Sequence, residues 1–313
     1  MCDLGLLVRK RYFISLLLIL LPPSVVAQVP HEPEGRTTKV IVQRVILSKP
    51  TLLSQKEIAT LTSELRSTEL QFSAVTWRED FTDYTDAFIE RVYQDRGYFL
   101  AKVYCEVVPV DSKSSVPHVD LFVTVQEGVQ YRLREIRWKN VTVFPESQLL
   151  ALMPINPGET FKRTKIGEGL DAAVRLYGSL GYINSTYIPN TSIDEAGRSI
   201  ALEINVDEGG IFHWGDLHVE GMSEADKREL LLGWEGLRGQ LYTSNSHRAL
   251  DKFFATYFRP LRSGVTPSDY AKWEVDEKAR TVDVYLSLMP NPSLLKYIPK
   301  SWRNSQASDK SNR

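Results

Sequence analysis

Val125-Gln126-Glu127-Gly128 and Val206-Asp207-Glu208-Gly209 are one phrase written twice. Each closes a strand-like run, and the spacing is 208 − 127 = 81 residues. A fresh strand follows each, carrying Ile136-Arg137-Trp138 in the first case and Leu217-His218-Val219 in the second, again 81 apart (217 − 136). Self-similarity at a fixed period marks one folding unit used repeatedly. A period this long is a small domain, so the chain reads as a string of modules. Such strings bind and position partners.

The middle module, 131–210, is the most legible. A strand over 131–141 leads to a short helix, Pro145 to Leu152, with proline near its first turn as helices prefer. After the turn Pro154-Ile-Asn-Pro-Gly158, a longer helix carries Ile166, Leu170, Val174, Tyr177 and Leu180 on one stripe. Gly181 stands where a left-handed residue would end that helix. Strands over 182–193 and 199–206 flank the hairpin loop Asp194-Glu-Ala-Gly197. The last strand alternates Leu202, Ile204 and Val206 with Glu203 and Asn205, giving one buried and one wet face.

The first module, 37–130, repeats the order. A β-rich run spans Val40 to Leu47 and stops at Pro50; Leu52 to Leu70 reads as helix. A second helix carries Phe81, Tyr84, Phe88 and Val92 and ends at Gly97-Tyr98. Strands over 98–109 and 118–126 follow, joined by the polar loop Asp111 to Ser115. The third module, 211–290, is more divergent. Leu217 and Val219 mark its first strand, Ser223 and Ser246 are candidate helix caps, and Val282, Val284, Leu286 and Leu288 alternate in its last strand. Gly128 and Gly209, each behind a repeated glutamate, read as turns between modules in which glycine takes unusual backbone angles.

Residues 1–27 have the form of a secretory signal peptide: Arg9, Lys10 and Arg11, then Tyr12 to Leu21, then Val25-Val26-Ala27. The apolar run is too short to span about 30 Å of hydrocarbon, so cleavage is expected rather than anchoring. Residues 28–36 are a polar linker, and 291–313 a polar tail with the composition of a disordered segment. Residues 1–27 hold three basic residues and one acid, so the mature chain has 35 basic against 38 acidic residues, net −3. That balance argues against nucleic acid as a partner. A lone Cys105 in the mature chain excludes an internal disulfide, so each module must rest on its apolar core.

The order β-α-α-β-β, written three times, resembles the POTRA (polypeptide-transport-associated) domain. The residues that carry the resemblance are Arg134-Glu-Ile-Arg-Trp138, Asn156-Pro-Gly-Glu-Thr-Phe161, Tyr177-Gly-Ser-Leu-Gly-Tyr182 and Val206-Asp-Glu-Gly209 in the middle module. Tyr93-Gln-Asp-Arg-Gly-Tyr98 and Val125-Gln-Glu-Gly128 repeat it in the first. The third departs, with Tyr257-Phe-Arg-Pro260 and Leu288-Met-Pro290 where Gly-Tyr and Glu-Gly belong. The resemblance implies an α+β fold of three tandem domains, each with two helices on a three-stranded mixed sheet. POTRA domains precede outer-membrane barrels of the BamA and TamA type and occur in two-partner secretion transporters, where they bind polypeptides in the periplasm. A barrel needs at least eight strands of about ten residues, and none is expected in the 23 residues after 290.

The resemblance also places the second strand of each module at a sheet edge, where an extended segment can pair with it. In the middle module the candidate partner-binding residues are Tyr182, Ile183, Asn184, Ser185, Thr186, Tyr187 and Ile188, with Pro189 limiting the length of pairing. Gly97, Gly128, Gly181 and Gly209 are the structural glycines. Expected partners are unfolded or extended polypeptides and outer-membrane assembly or secretion proteins, with a separate β-barrel among them, and at most peripheral membrane association. The expected location is the periplasm, peripheral to the outer membrane.

Catalysis and cofactors are not expected. Gly167-Glu-Gly169-Leu-Asp-Ala172 matches a loose dinucleotide pattern, but the helical stripe runs through it. Ser293-Leu-Leu-Lys296 lies in the trailing segment. His213 and His218, five apart on a strand, should face opposite sides and so not share a metal. Arg132, Arg134, Arg137 and Lys139 make a basic strand: a solvated face, or one that meets an acidic partner or lipid headgroups. The alternatives that remain are a signal-anchored linker in another envelope complex, such as division machinery, and an exported hydrolase using paired carboxylates.

Overall fold

The computed structural model describes residues 37–48, 52–67, 71–73, 76–110, 116–221, 223–257 and 271–287. The signal segment, the linker, the 111–115 loop, Phe258 to Tyr270, and Leu288 onward lie outside them, as do the sequence readings made there. The chain divides into two compact units. One takes in 1–139, 144–171 and 187–205; the other takes in 140–143, 172–186 and 206–313.

The fold is α+β, built on three three-stranded mixed sheets with helices. The first sheet holds β2 (Ile41–Leu47), β4 (Lys102–Pro109) and β5 (His118–Gln126) in the order β2-β5-β4. β2 runs parallel to β5, and β4 antiparallel. Helices α1 (Gln55–Ser67) and α2 (Trp77–Gln94) give Leu61, Leu65, Phe81, Ile89 and Tyr93 to a core shared with Val42, Val103, Val119, Leu121 and Val123. α1 starts later than Leu52 because Ser54 and Glu57 form a capping box: Glu57 Oε2 accepts the Ser54 N–H (2.7 Å) and Ser54 Oγ accepts the Glu57 N–H (3.3 Å). The β-run Val40 to Leu47 is the single strand β2, which starts at Ile41. Thr37–Lys39 (β1) leaves the main sheet and pairs antiparallel with Gln71–Ser73 (β3), an element the sequence reading did not contain.

The middle sheet orders β6 (Arg132–Lys139), β8 (Ser199–Asp207) and β7 (Thr186–Asp194) as β6-β8-β7, with β6 parallel to β8. Its helices are α3 (Glu146–Leu150) and α4 (Arg163–Ser179). The last sheet holds β9 (His213–Glu220), β10 (Ala271–Asp276) and β11 (Thr281–Ser287) in the order β10-β11-β9. There α5 (Glu224–Trp234) and α6 (Ser246–Tyr257) bury Leu230, Trp234, Leu250, Phe253 and Phe254 with Trp214 and Val284. Ser223 caps α5 by accepting the Asp226 N–H. Ser246 is instead the first residue of α6, and its Oγ reaches back to accept the Thr243 N–H at 2.7 Å.

The first strand of each three-stranded sheet carries a register shift: between Val42 and Arg44, between Leu133 and Glu135, and between Trp214 and Leu217 opposite Val282 and Val284. A bulge moves all later side chains to the other face. It overturns the parity argument for the histidines. The burial pattern of β9 places both His213 and His218 among its exposed residues. His218 lies flat on Tyr285 (4.3 Å between centroids) and 3.7 Å from Asp283.

Two joints between modules are built alike. At the first, Gly97 O accepts the Tyr131 N–H (2.8 Å), Tyr131 O accepts the Phe161 N–H (3.0 Å), and Glu159 O accepts the Leu133 N–H (2.8 Å). At the second, Gly181 O accepts the Phe212 N–H (3.0 Å), Phe212 O accepts the Tyr242 N–H (2.9 Å), and Gln240 O accepts the Trp214 N–H (2.8 Å). Phe212, Tyr242, Trp214 and Gln240 each lie 81 residues after their counterparts (212 − 131 = 81). Gly97 and Gly181 both have φ +88° and follow their helices as left-handed caps. Tyr98 N–H then bonds Tyr93 O, and Tyr182 N–H bonds Tyr177 O. A Cβ at Gly97 would sit 2.5 Å from Thr160 Cγ2, and one at Gly181 2.7 Å from Leu241 Cδ1 and 3.2 Å from Tyr242 O.

The repeated glutamates tie the end of each third strand to the loop after the first. Glu127 Oε1 accepts the Leu52 N–H at 2.7 Å. Glu208 accepts the N–H of Thr142 (2.8 Å) and Val143 (2.9 Å), the Tyr177 hydroxyl (2.7 Å) and the Thr142 hydroxyl. Burial alone would push the Glu208 carboxyl up. The bonds from Thr142, Tyr177 and Val143 outweigh it and hold the group at about 2, from an ordinary 4.5. Behind each glutamate the glycine turns the chain, Gly128 at φ +71° and Gly209 at +67°.

Two outcomes test this account. Gly128 and Gly181 share positive φ, but a Cβ at Gly128 meets nothing within 4 Å. Gly128→Ala should therefore cost only the left-handed penalty, about 1–2 kcal/mol. Gly181→Ala should cost clearly more in urea unfolding, and equal losses would show that the second joint is not packed. For Glu208, the native carboxyl is depressed. Its stabilisation is therefore complete above pH 4.5 and lost as pH falls toward 2. Glu208→Gln should cost about 2 kcal/mol at pH 7, the worth of a charged hydrogen bond. It should also flatten the melting-temperature profile in that window, and an unchanged profile would contradict this role.

Candidate functional site

Each sheet has two outer strands, and they are not equally open. In the last two modules the first strand is covered by a turn of its own module. Arg132 bridges Thr160 beside β6, and His213 bridges Leu241 beside β9. Leu133 and Trp214 spend their N–H groups on Glu159 O and Gln240 O, and Leu133 O accepts the Gly158 N–H at 2.7 Å. Near the far end of β6, the Trp138 N–H goes to Glu146 Oε1 at 2.9 Å. An extended segment cannot pair along β6 without displacing these bonds. In the middle sheet that leaves β7 on the opposite edge.

The structure divides the seven candidate residues. Thr186, Tyr187 and Ile188 are in β7; Tyr182, Ile183, Asn184 and Ser185 are not, because the strand begins four residues later than expected. The left-handed turn at Gly181 sets this. The chain must first close the helix end, with Tyr182 N–H on Tyr177 O (3.2 Å) and Ile183 N–H on Gly181 O (3.0 Å). Asn184 then serves the second joint: its Oδ1 accepts the Gly210 N–H (3.1 Å) and its Nδ2 donates to Glu277 (2.8 Å). The strand also runs on past Pro189 to Asp194. Sequence had a usable signal here, since the 84-residue offset of Gly97 and Gly181 maps the start of β4 at Lys102 onto Thr186.

Burial fixes which way β7 presents its backbone. Tyr187 is buried, its ring edge-on to Trp138 at 6.2 Å, and Pro189 is half-buried. Thr186, Ile188 and Asn190 are exposed, Ile188 at 43%. Side chains and backbone N–H groups alternate with the same period of two. The N–H positions of 187, 189, 191 and 193 therefore point one way, and those of 186, 188, 190 and 192 the other. Proline within a sheet is confined to positions with no ladder bond to make. Pro189 thus assigns its own set to the outer edge and the Thr186 set to β8. Along residues 189–193 the outer edge presents three carbonyls and the N–H groups of Thr191 and Ile193, with exposed Ile188 beside them.

The remaining candidates are structural. Gly167 and Gly169 sit inside α4, not in a phosphate loop. Arg132, Arg134, Arg137 and Lys139 are all exposed. Glu135 lies among them, 2.9 Å from Arg137 and 3.8 Å from Arg134, and Lys139 reaches Glu203 at 4.0 Å. Such exposed pairs contribute little to stability, and the strand is a mixed-charge solvated face. Burial, and then the Asp86 carboxylate, push the Cys105 thiol far above its ordinary value, so it stays protonated. Among the described residues no three His, Cys, Asp or Glu side chains are placed to hold a metal ion, and no helix is long and apolar enough to cross a membrane.

Comparison with known proteins agrees with this geometry. Residues 131–209 match the family model POTRA, described as a surface antigen variable number repeat. Over 120 residues the chain is 30% identical to the outer membrane protein assembly factor BamA of Buchnera aphidicola, covering 38% of this chain and 19% of that protein. Over 157 residues it is 25% identical to BamA of Neisseria meningitidis, covering 46% of this chain and again 19% of the relative. The chain thus spans about a fifth of the curated relatives it matches. The crystal structure of Haemophilus influenzae BamA POTRA3-5 superposes with a TM-score of 0.52 over 83% of this chain and 98% of that one, at 20% identity, a likeness of fold. Residues 131–209 thus match the POTRA family, and the chain shares the fold of tandem POTRA domains.

Proposed function

We propose that this protein is a non-enzymatic, periplasmic binder or scaffold in outer-membrane protein assembly or secretion. It holds extended segments of other polypeptides by adding them as a further strand to β7. The observation that carries the reading is the asymmetry of the middle sheet: β6 has its outer edge covered by its own module, and β7 lies at the opposite edge. Two relatives named as outer membrane protein assembly factors support the setting. Backbone pairing suits such clients. A strand that crosses a membrane alternates apolar and polar residues over about ten positions. Its main chain offers the same donors and acceptors whatever its side chains are. Affinity then comes from the ladder and a loose preference from exposed neighbours such as Ile188.

The backbone geometry names the variant that tests this. Thr186→Pro would break the ladder to β8 and damage the fold. Thr191→Pro would instead remove an outward donor while leaving that ladder intact. Against a soluble decapeptide of alternating valine and threonine, Thr191→Pro should weaken binding about tenfold, or about 1.4 kcal/mol. Thr191→Ala should bind like wild type. Amide NMR titration gives both affinity and location. Equal binding by the proline variant, or shifts confined to α3 and α4, would rule out β7 as the acceptor.

A further inference from the structure

The first module has the same outer strand as the second, β4 in place of β7, but a different helix beside it. Asp86 and Glu90 lie one turn apart on α2, both half-buried. Asp86 Oδ1 accepts the backbone N–H of Cys105 at 2.7 Å. Burial pushes the Glu90 carboxyl up, and the neighbouring backbone N–H of Val103 acts against that push. The Cys105 N–H is therefore not spent on β5, the one neighbour of β4 in the sheet. The Val103 N–H, two residues away, points the same way.

The spacing fits. Alternate residues on a strand are about 6.8 Å apart, and four residues of helix rise about 6 Å. Two carboxylates at i and i+4 can thus cover two successive outward N–H groups. A hydrogen bond to a carboxylate is roughly twice as strong as one between neutral groups. An incoming strand would offer only neutral carbonyls to the same donors, and its own carbonyls would meet the carboxylates.

The second module differs at every one of these places. The 84-residue offset of Gly97 and Gly181 puts Leu170 and Val174 where Asp86 and Glu90 stand. It also puts Tyr187 and Pro189 where Val103 and Cys105 stand. Burial along the two strands agrees: Val103 and Tyr187 are buried, Cys105 and Pro189 half-buried, and Tyr104 and Ile188 exposed. α4 thus has no carboxylate at either position.

We propose that Asp86 and Glu90 close the β4 edge to added strands, so that the second module, and not the first, takes the extended client. The inference rests on the strand-addition reading of β7 and says which of two similar edges is open. Asp86→Leu with Glu90→Val, the residues of the second module, should open β4.

The test combines amide hydrogen exchange with NMR titration of the alternating valine–threonine decapeptide. In wild type the peptide should shift β7 and leave Lys102 to Pro109 unmoved. In the double variant the Val103 and Cys105 amides should exchange about tenfold faster without peptide, a factor set by the lost bonds, and the peptide should now shift β4 as well. Asp86→Asn keeps an acceptor oxygen and the fold, and should stay closed. Peptide shifts on β4 of wild type or of Asp86→Asn, equal to those on β7, would overturn the proposal. So would a folded double variant whose edge stays silent to the peptide while β7 still responds. If the peptide shifts neither strand in any protein, the strand-addition reading fails. Exchange alone then decides closure: faster Val103 and Cys105 amides support it, and unchanged ones overturn it.

Discussion

The carbonyl of a glycine in a left-handed turn, accepting the first N–H of the next module, is the contact on which this architecture depends. Gly97 does this for Tyr131 and Gly181 for Phe212. Both glycines end a helix, so one residue stops the helix, turns the chain and docks the following module. Only glycine serves, because φ is +88° and neighbouring atoms already occupy the space a Cβ would take. Tyr131 and Phe212 then pass the contact on by accepting from Phe161 and Tyr242, which lie in the turns that cover the first strands. Joint and covered edge are one construction. The same turns that receive the preceding module close β6 and β9 to pairing.

The proposed function follows from what that construction leaves over. A three-stranded sheet has two edges, and in the middle sheet the joint and Glu146 occupy one of them. The other, β7, is bounded by the second joint at its start, through Asn184, and by the hairpin to β8 at its end. An exposed edge is a hazard for a folded domain and a binding surface for one whose clients are extended. Pro189 serves both needs. It shortens the run of outward donors, which discourages unlimited pairing, and it keeps the carbonyls available.

Much of this was legible in the chain, for stated reasons. The 81-residue period gave the number of modules, since strand ends and the strands after them are held to fixed spacing by the joints. Alternation in Leu202, Ile204 and Val206 gave the strand with one buried face. Three things were hidden. The bulge at the start of each first strand leaves no periodic trace, so His213 and His218 were assigned by parity to opposite faces. Tyr182 to Ser185 read as strand because Gly181 marks the end of the helix just before them, although hydrogen bonding at the Gly181 turn holds them out of it. Asp86 and Glu90 carry no signal of their own in the sequence. Only the position of β4 beside them gives them partners.

The central claim is that an extended polypeptide becomes a strand next to β7. The most direct measurement is of cross-strand Hα–Hα and amide NOEs between a bound decapeptide and residues 189–193 in isotope-labelled protein. The account predicts a ladder of such contacts on the outer side of β7, continuous except at the missing amide of Pro189. Contacts only to side chains of α3 and α4, or no ladder in a saturated complex, would contradict it.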